Sequence, residues 1–455
     1  MGLILKGGTI VTAEKTYKSD IKIINEVIAE IGKNLKCDNY EVIDVSGCHI
    51  IPGGIDTHTH FDMNAGYTKT TDDFESGTKA AIIGGTTTVL DFAETSNDED
   101  LIEGIKTYHK KADGKCSCDY GFHITITKLD TDTFKFMEEL ISEGVTSFKM
   151  YMAYNGMKVD DGTIYKVLEK ARELGCIVEF HCESGDLLDV LVEENVKAGN
   201  LKPKYHSLSR PNIVEKEAVS RLADITQLAY SRSYVVHLSC KESLVVVKNA
   251  RKRGVNMIVE TCPQYLLLED KLYCNEGFEG AKYVMSPPLR KKEDIECLWN
   301  GIRDGDIQTV GTDHCSFNFR GQKDIGIDDF SKIPNGAPGV EQRIELLYTY
   351  GVAIGRISFN KFVEITSTNA AKIFGMYPKK GEIKVGSDAD LVVLDTTKEK
   401  IITSTTQQQN VDYTPYEGFK VSCEIRDVFL RGEHVVKCGK IKKINKGKYL
   451  KRKII

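Results

Sequence analysis

The sequence predicts an α/β protein: a (β/α)8 TIM barrel with a second, smaller β-sandwich domain built from both termini. Eight apolar, strand-like runs alternate with helical stretches through the middle of the 455-residue chain, the repeat of a parallel sheet. Short alternating strands crowd both ends, and each group buries too little to stand alone. Histidines and an aspartate recur at the ends of the central runs, the face on which such barrels carry their chemistry.

Taken in order, residues 1–50 form the N-terminal part of the sandwich, through Leu3-Ile4-Leu5, Thr9-Ile10-Val11, Asp20–Ile23 and Val27–Ile31. The barrel takes residues 51–378. Its first run leads through Ile50-Ile51-Pro52 into Asp56-Thr57-His58. The next are Thr86–Phe92, Phe122–Ile126, Ser147–Met152 and Cys176–His181, and the last three are Tyr234–His237, Met257–Thr261 and Gln308–Asp313. An open doubly wound sheet is the competing arrangement, but no Gly-x-Gly-x-x-Gly turn follows any run. Residues 379–440 complete the sandwich with Gly381–Gly386, Ala389–Asp395 and Cys423–Phe429. Residues 441–455 are a basic arm holding Lys442, Lys443, Lys446, Lys448, Lys451, Arg452 and Lys453. As a charge run it reads as solvated; as an arm it reads as a clasp on a neighbouring subunit.

Composition narrows the function classes. The chain is 41% hydrophobic and 28% charged, with a net charge of −5, which gives no electrostatic reason to expect nucleic acid. No apolar run approaches the ~20 residues that span a bilayer, so no membrane partner is expected. Met1-Gly2-Leu3-Ile4-Leu5-Lys6 lacks the features of a signal peptide, and Lys6 stands where a myristoylation signal wants Ser or Thr. The thirteen cysteines are odd in number. Several, such as Cys176, Cys182 and Cys240, sit in apolar runs as small hydrophobes of a reducing compartment. The expected location is the cytoplasm.

His58 and His60 stand two residues apart on a strand, so both imidazoles face one side. They end the first run, His181 ends the fifth, His237 the sixth and Asp313 the eighth. Four imidazoles and a carboxylate suit zinc or a similar divalent ion, and they are too many for one tetrahedral ion with an open position. Lys149 lies inside the apolar run Phe148-Lys149-Met150-Tyr151-Met152, where a bare ammonium is costly to bury. A lysine snorkelling to the strand end is the bland reading. Set among the histidines, a neutral amine that reacts with CO2 becomes N6-carboxylysine, an anion with two oxygens able to bridge two metals. Two metals sharing a hydroxide make a hydrolase, with Asp313 placed to take its proton and deliver it to a leaving nitrogen.

These motifs bring a resemblance into view: Pro52–His60, Ser147–Tyr154, Glu260–Tyr265, Ser286–Arg290 and Gly311–Cys315. Over nearly the whole chain the sequence resembles the cyclic amidohydrolases of the dihydropyrimidinase/hydantoinase branch, most of all the bacterial phenylhydantoinases. The resemblance implies that His58, His60, carboxylated Lys149 and Asp313 hold the more buried metal, and that Lys149, His181 and His237 hold the other. It implies that Tyr154 hydrogen-bonds the oxyanion, and that Ser286 and Asn335 hold the ring amide largely through backbone groups. It also implies a β-sandwich from both termini and an arm that embraces a neighbour in a homotetramer.

The implied reaction opens the ring of 5-substituted hydantoins or dihydropyrimidines to N-carbamoyl amino acids, with a small cyclic imide or ureide as substrate. The loop Asp62-Met63-Asn64-Ala65-Gly66-Tyr67 and the stretch Asn155-Gly156-Met157-Lys158 depart from the family's pattern, so the substituent pocket is unusual. Met63, Tyr67 and Met157 are its expected residues. Dihydropyrimidinase proper is the first alternative and allantoinase the second. A dihydroorotase would want an arginine where Phe61-Asp62 stands. A non-catalytic scaffold on this fold, the reading from another class, would have lost the metal ligands.

Overall fold

The computed structural model describes residues 2–95 and 99–454. Its centre is a parallel sheet of eight strands: Gly54–Thr59, Thr86–Ala93, Asp119–Thr125, Ser147–Tyr151, Ile177–His181, Arg232–Val235, Asn256–Thr261 and Thr309–Val310. Each strand pairs with the next in chain order, and all eight runs of the sequence contribute strands to this sheet, although the apolar lead-in Ile50-Ile51-Pro52 of the first belongs to another sheet. The last strand is short. A parallel bridge between Thr59 and His314 brings the two edges of the sheet together. Arg343, fully buried, strengthens that closure by donating to the carbonyl oxygens of Ile55 at 2.9 Å and Val310 at 3.0 Å.

Helices wrap the barrel and start on sequence signals. The helix Phe74–Ile83 begins at Asp73, whose carboxylate accepts from the backbone N–H groups of Glu75 and Ser76 while Ser76 Oγ accepts from Asp73 N. Leu101–Ala112 starts in the same way on Asp100 and Glu103. The main core lies between these helices and the outward strand faces, with Phe74, Tyr108 and Phe122 meeting edge to face.

Two further sheets carry strands from both ends of the chain. One orders Val27–Gly32, Asp20–Ile24, Gly2–Lys6 and Glu41–Asp44. The other is seven-stranded and pairs His49–Pro52 antiparallel with Leu391–Asp395, which pairs in turn with Glu424–Leu430. Leu5, Ile21, Ile50, Leu391, Val393 and Phe429 form a second buried cluster within this β-domain. Gly53 is the hinge from sandwich to barrel, and a Cβ there would lie 2.0 Å from Thr87 Oγ1, so only glycine fits.

The basic arm is not a free charge run. Its end lies on the barrel of its own chain: Tyr120 N donates to Lys448 O, Leu450 N to Tyr120 O, and Arg452 N to Gly144 O. Arg452 is buried, its guanidinium donating to Phe122 O and, at 2.7 Å, to Ser147 Oγ. A side chain at Gly144 would collide with Lys451, so the chain can approach this closely only over glycine. The arm's lysine side chains are exposed, from Lys442 to Lys446 and at Lys448, Lys451 and Lys453, while the backbone around them is held by the barrel.

Candidate active site

The C-terminal ends of the barrel strands open into a cavity of about 480 Å³. All twelve residues expected at the site line it: His58, His60, Lys149, His181, His237 and Asp313, with Tyr154, Ser286, Asn335, Met63, Tyr67 and Met157. His58, Lys149 and His181 lie within their strands, Gly54–Thr59, Ser147–Tyr151 and Ile177–His181, while His60, Tyr154, His237 and Asp313 come from the residues that follow strands. His237 (φ +40°), Asp313 (φ +52°) and Tyr154 (φ +73°) all sit in the left-handed region. That costs on the order of 1–3 kcal/mol each in non-glycine residues, and such strain gathers where side-chain direction matters most.

Two groups of electron-rich atoms face each other inside the cavity. His58 Nε2 and His60 Nε2 are 3.2 Å apart, and both lie within 3.2 Å of Asp313 Oδ1. His58 donates from Nδ1 to Glu260 Oε1 at 2.7 Å, which leaves Nε2 as the inward atom. Glu260 is itself held by Tyr234, whose hydroxyl donates to Oε2 at 2.9 Å. In the second group, His181 donates from Nε2 to Glu183 Oε2 at 2.9 Å and turns Nδ1 towards His237 Nε2, 3.0 Å away. Arg210 pairs with the same Glu183 oxygen at 2.7 Å. Burial opposes ionisation of Glu183, but Arg210 and the His181 N–H overcome it and hold the carboxyl down to about 2.

This donor set fits divalent metal. In each group, ring nitrogens turn towards other metal-capable atoms at hydrogen-bond distance, a set that could close on one cation. In the bare chain a proton plays that part: burial alone would depress His58, yet Asp313 and Glu260 carry it up to about 9. Burial, helped by His58 and Lys149, pushes its neighbour His60 down to about 4. His237 Nδ1 is buried with no hydrogen-bond partner. Lys149 is buried, and no described residue hydrogen-bonds its Nζ, which lies 4.6 Å from the Phe92 ring centre. Burial lowers its pKa, against the pull of Glu179, Asp313 and Glu260, and so favours the neutral amine. A second acidic cluster, Asp119, Asp388 and Asp390, differs: Lys380 Nζ already sits within 3.0 Å of all three.

Tyr154 lies over His181, ring centres 4.9 Å apart, with Arg210 on its other flank. Ser286 Oγ and Asn335 Oδ1 are buried without partners on the cavity wall. The segments that carry them are stapled together: Lys323 Nζ donates to Val284 O and Pro334 O, both at 3.0 Å, and Gly336 N donates to Val284 O. Tyr67 is 61% exposed at the rim and donates to Lys332 O. Sequence reasoning missed Glu94, Glu183, Glu260 and Lys323. Glu260 opens the motif Glu260–Tyr265 and Glu183 follows His181 by two residues, but neither position by itself marks a carboxylate as the orienter of His58 or His181. Glu94 lines the cavity, and burial pushes its carboxyl up to about 7.

This fold and site define a barrel hydrolase with a metal-ligand cluster at its strand ends. The profile of the amidohydrolase family matches residues 49–435, and the chain belongs to that family. It is 49% identical to a D-hydantoinase from Geobacillus stearothermophilus over 455 residues, 99% of this chain and 97% of that one. It is 38% identical to a D-phenylhydantoinase from Escherichia coli strain SE11, over 100% of this chain and 98% of that one. The crystal structure of dihydropyrimidinase from Brevibacillus agri NCHU1002 superposes with a TM-score of 0.98 at 46% identity, covering 100% of this chain and 99% of that chain. No helix among the described residues is long and apolar enough to cross a membrane.

Proposed function

We propose that this chain is a binuclear metal-dependent hydrolase that opens the cyclic amide ring of 5-substituted hydantoins to N-carbamoyl amino acids. One observation carries the reading: His58, His60, Lys149, His181, His237 and Asp313 line a single cavity at the strand ends. In our assignment His58, His60, Lys149 and Asp313 hold one ion, Lys149, His181 and His237 hold the second, and both are zinc. Lys149 would serve both ions once its neutral amine has added CO2 and released a proton, which gives a carbamate with two oxygens. When bound, the ions would supply Lewis acidity towards a carbonyl oxygen and lower the pKa of a bound water.

The chain's own groups do the rest. Asp313, a carboxylate at the cavity floor, accepts the proton of the attacking water and returns it to the ring nitrogen that leaves. The Tyr154 hydroxyl donates to the carbonyl oxygen as negative charge develops there, where burial keeps the phenol protonated. Ser286 and Asn335 orient the ring amide, and Met63, Tyr67 and Met157 surround the substituent. We assign a homotetramer in which the basic arm, residues 441–455, reaches a neighbour through its exposed side chains. The thirteen cysteines stand as thiols, which suits the reducing cytoplasm where we place the enzyme.

A dihydropyrimidine ring is the second reading, favoured by the likeness to the Brevibacillus agri structure. Dihydrouracil, 5-phenylhydantoin and allantoin, offered to protein made with zinc and bicarbonate, separate the possibilities. The expected result is fastest opening of the hydantoin. Faster opening of dihydrouracil would move the enzyme to pyrimidine breakdown, and faster opening of allantoin would reject both. A non-catalytic scaffold would open none and would purify without metal.

A further inference from the structure

Two carboxylates line the cavity among the described residues, Asp313 and Glu94, and the ring-opening chemistry uses only the first. Glu94 directly follows the second barrel strand, Thr86–Ala93. Tyr151 donates its hydroxyl to Glu94 Oε1 at 3.2 Å, and His60 Nδ1 lies 3.8 Å from the same oxygen. No described residue hydrogen-bonds Oε2. The nearby Lys111 amine is engaged elsewhere, donating to Asp62 O at 2.8 Å.

Local contacts place this carboxylate beside the loop of Met157. Tyr151, which holds Glu94, ends the fourth strand, and its backbone bridges to Lys158, the residue after Met157. The second strand neighbours the first, which leads into the loop of Met63 and Tyr67. Glu94 thus shares the cavity lining with Met63, Ala65 and Met157, and its Oε2 is the oxygen left without a hydrogen bond from a described residue. An apolar substituent pressed against it would strip that oxygen of water and give nothing back, which costs free energy. An ammonium or another N–H donor would pair with it. The same carboxylate would offset the repulsion between a cationic substituent and the metal ions.

We infer that Glu94 makes the pocket select ring-carbon substituents that end in a cation or hydrogen-bond donor, so that the substrate class is the hydantoin of a basic side chain. The inference rests on the ring-opening reading above. Its test compares kcat/KM for two matched pairs of substrates: 5-(3-aminopropyl)hydantoin against 5-butylhydantoin, and 5-(4-aminobutyl)hydantoin against 5-pentylhydantoin. For the wild-type holoenzyme, at least one amine is expected to exceed its alkyl partner by roughly tenfold. Glu94→Leu should invert that ratio. Glu94→Gln, which keeps the shape and the Tyr151 contact, should bring it close to unity. A wild type that prefers the alkyl member of both pairs would overturn the inference, as would ratios that neither variant changes. In either case, opening of unsubstituted hydantoin by the wild type would leave the ring-opening reading standing. Failure to open it would overturn both.

Discussion

At the residue scale, function turns on charges that burial would forbid unless something offset them. Lys149 is the clearest case, an amine on an apolar strand with anionic neighbours and no described hydrogen bond. Lys149→Ala is expected to lose most ring-opening activity and most bound metal, and short carboxylic acids added to the assay should restore part of both. Full activity without them would reject the bridging role. Tyr154→Phe keeps the ring packed against His181 and removes only the donor, so kcat should fall by about two to three orders of magnitude with metal content unchanged. Lys323 offers a test through pH. Its folded-state pKa is depressed by burial to about 7, whereas the unfolded chain holds the proton to a pKa near the ordinary 10.5. Between those values the unfolded state binds more protons, so stability rises with pH; below about 7 the burial cost is present in full. The Tm of the wild type minus that of Lys323→Met should therefore increase from pH 6.5 to pH 9.5, and a flat difference would contradict a buried, titrating lysine.

At the scale of elements, the barrel was legible because its strands are apolar runs with a period distinct from the helices between them. His58 and His60 were legible because a strand's two-residue repeat makes them neighbours within one segment. His181, His237 and Asp313 could be read because each closes a run. Glu260 and Glu94 were not, because His58 and Tyr151 meet them only when distant strands come together and no spacing encodes that encounter; Glu183 bonds His181 only two residues away, but its second partner, Arg210, lies far along the chain. The arm's docking on its own barrel was not legible for a related reason. Its lysines dominate the composition, while the side chain that anchors it, Arg452, is inserted towards Ser147 and Phe122 O. Arg452→Ala removes the guanidinium donor from both oxygens and should cost about 1–3 kcal/mol, read as a lower Tm. An unchanged Tm would show that the arm's end contributes nothing to its own barrel.

At the scale of the whole molecule, the small domain joins the first and last parts of the chain through the pairing of His49–Pro52 with Leu391–Asp395. The seven-stranded sheet thereby sets the start of the first barrel strand, and with it the position of His58 and His60. The homotetramer is a statement about surfaces, and light scattering checks it: removing residues 441–455 should lower both the mass and the Tm. An unaltered mass would confine the arm to its own subunit. The central claim is that this cavity opens a cyclic amide by means of two metal ions. The most direct measurement is formation of the N-carbamoyl product from 5-phenylhydantoin, followed before chelation, after chelation and after zinc is returned. The account expects turnover, its loss with the metal and its recovery with about two zinc equivalents per subunit. Protein that carries both equivalents and opens neither hydantoin nor dihydrouracil would contradict it.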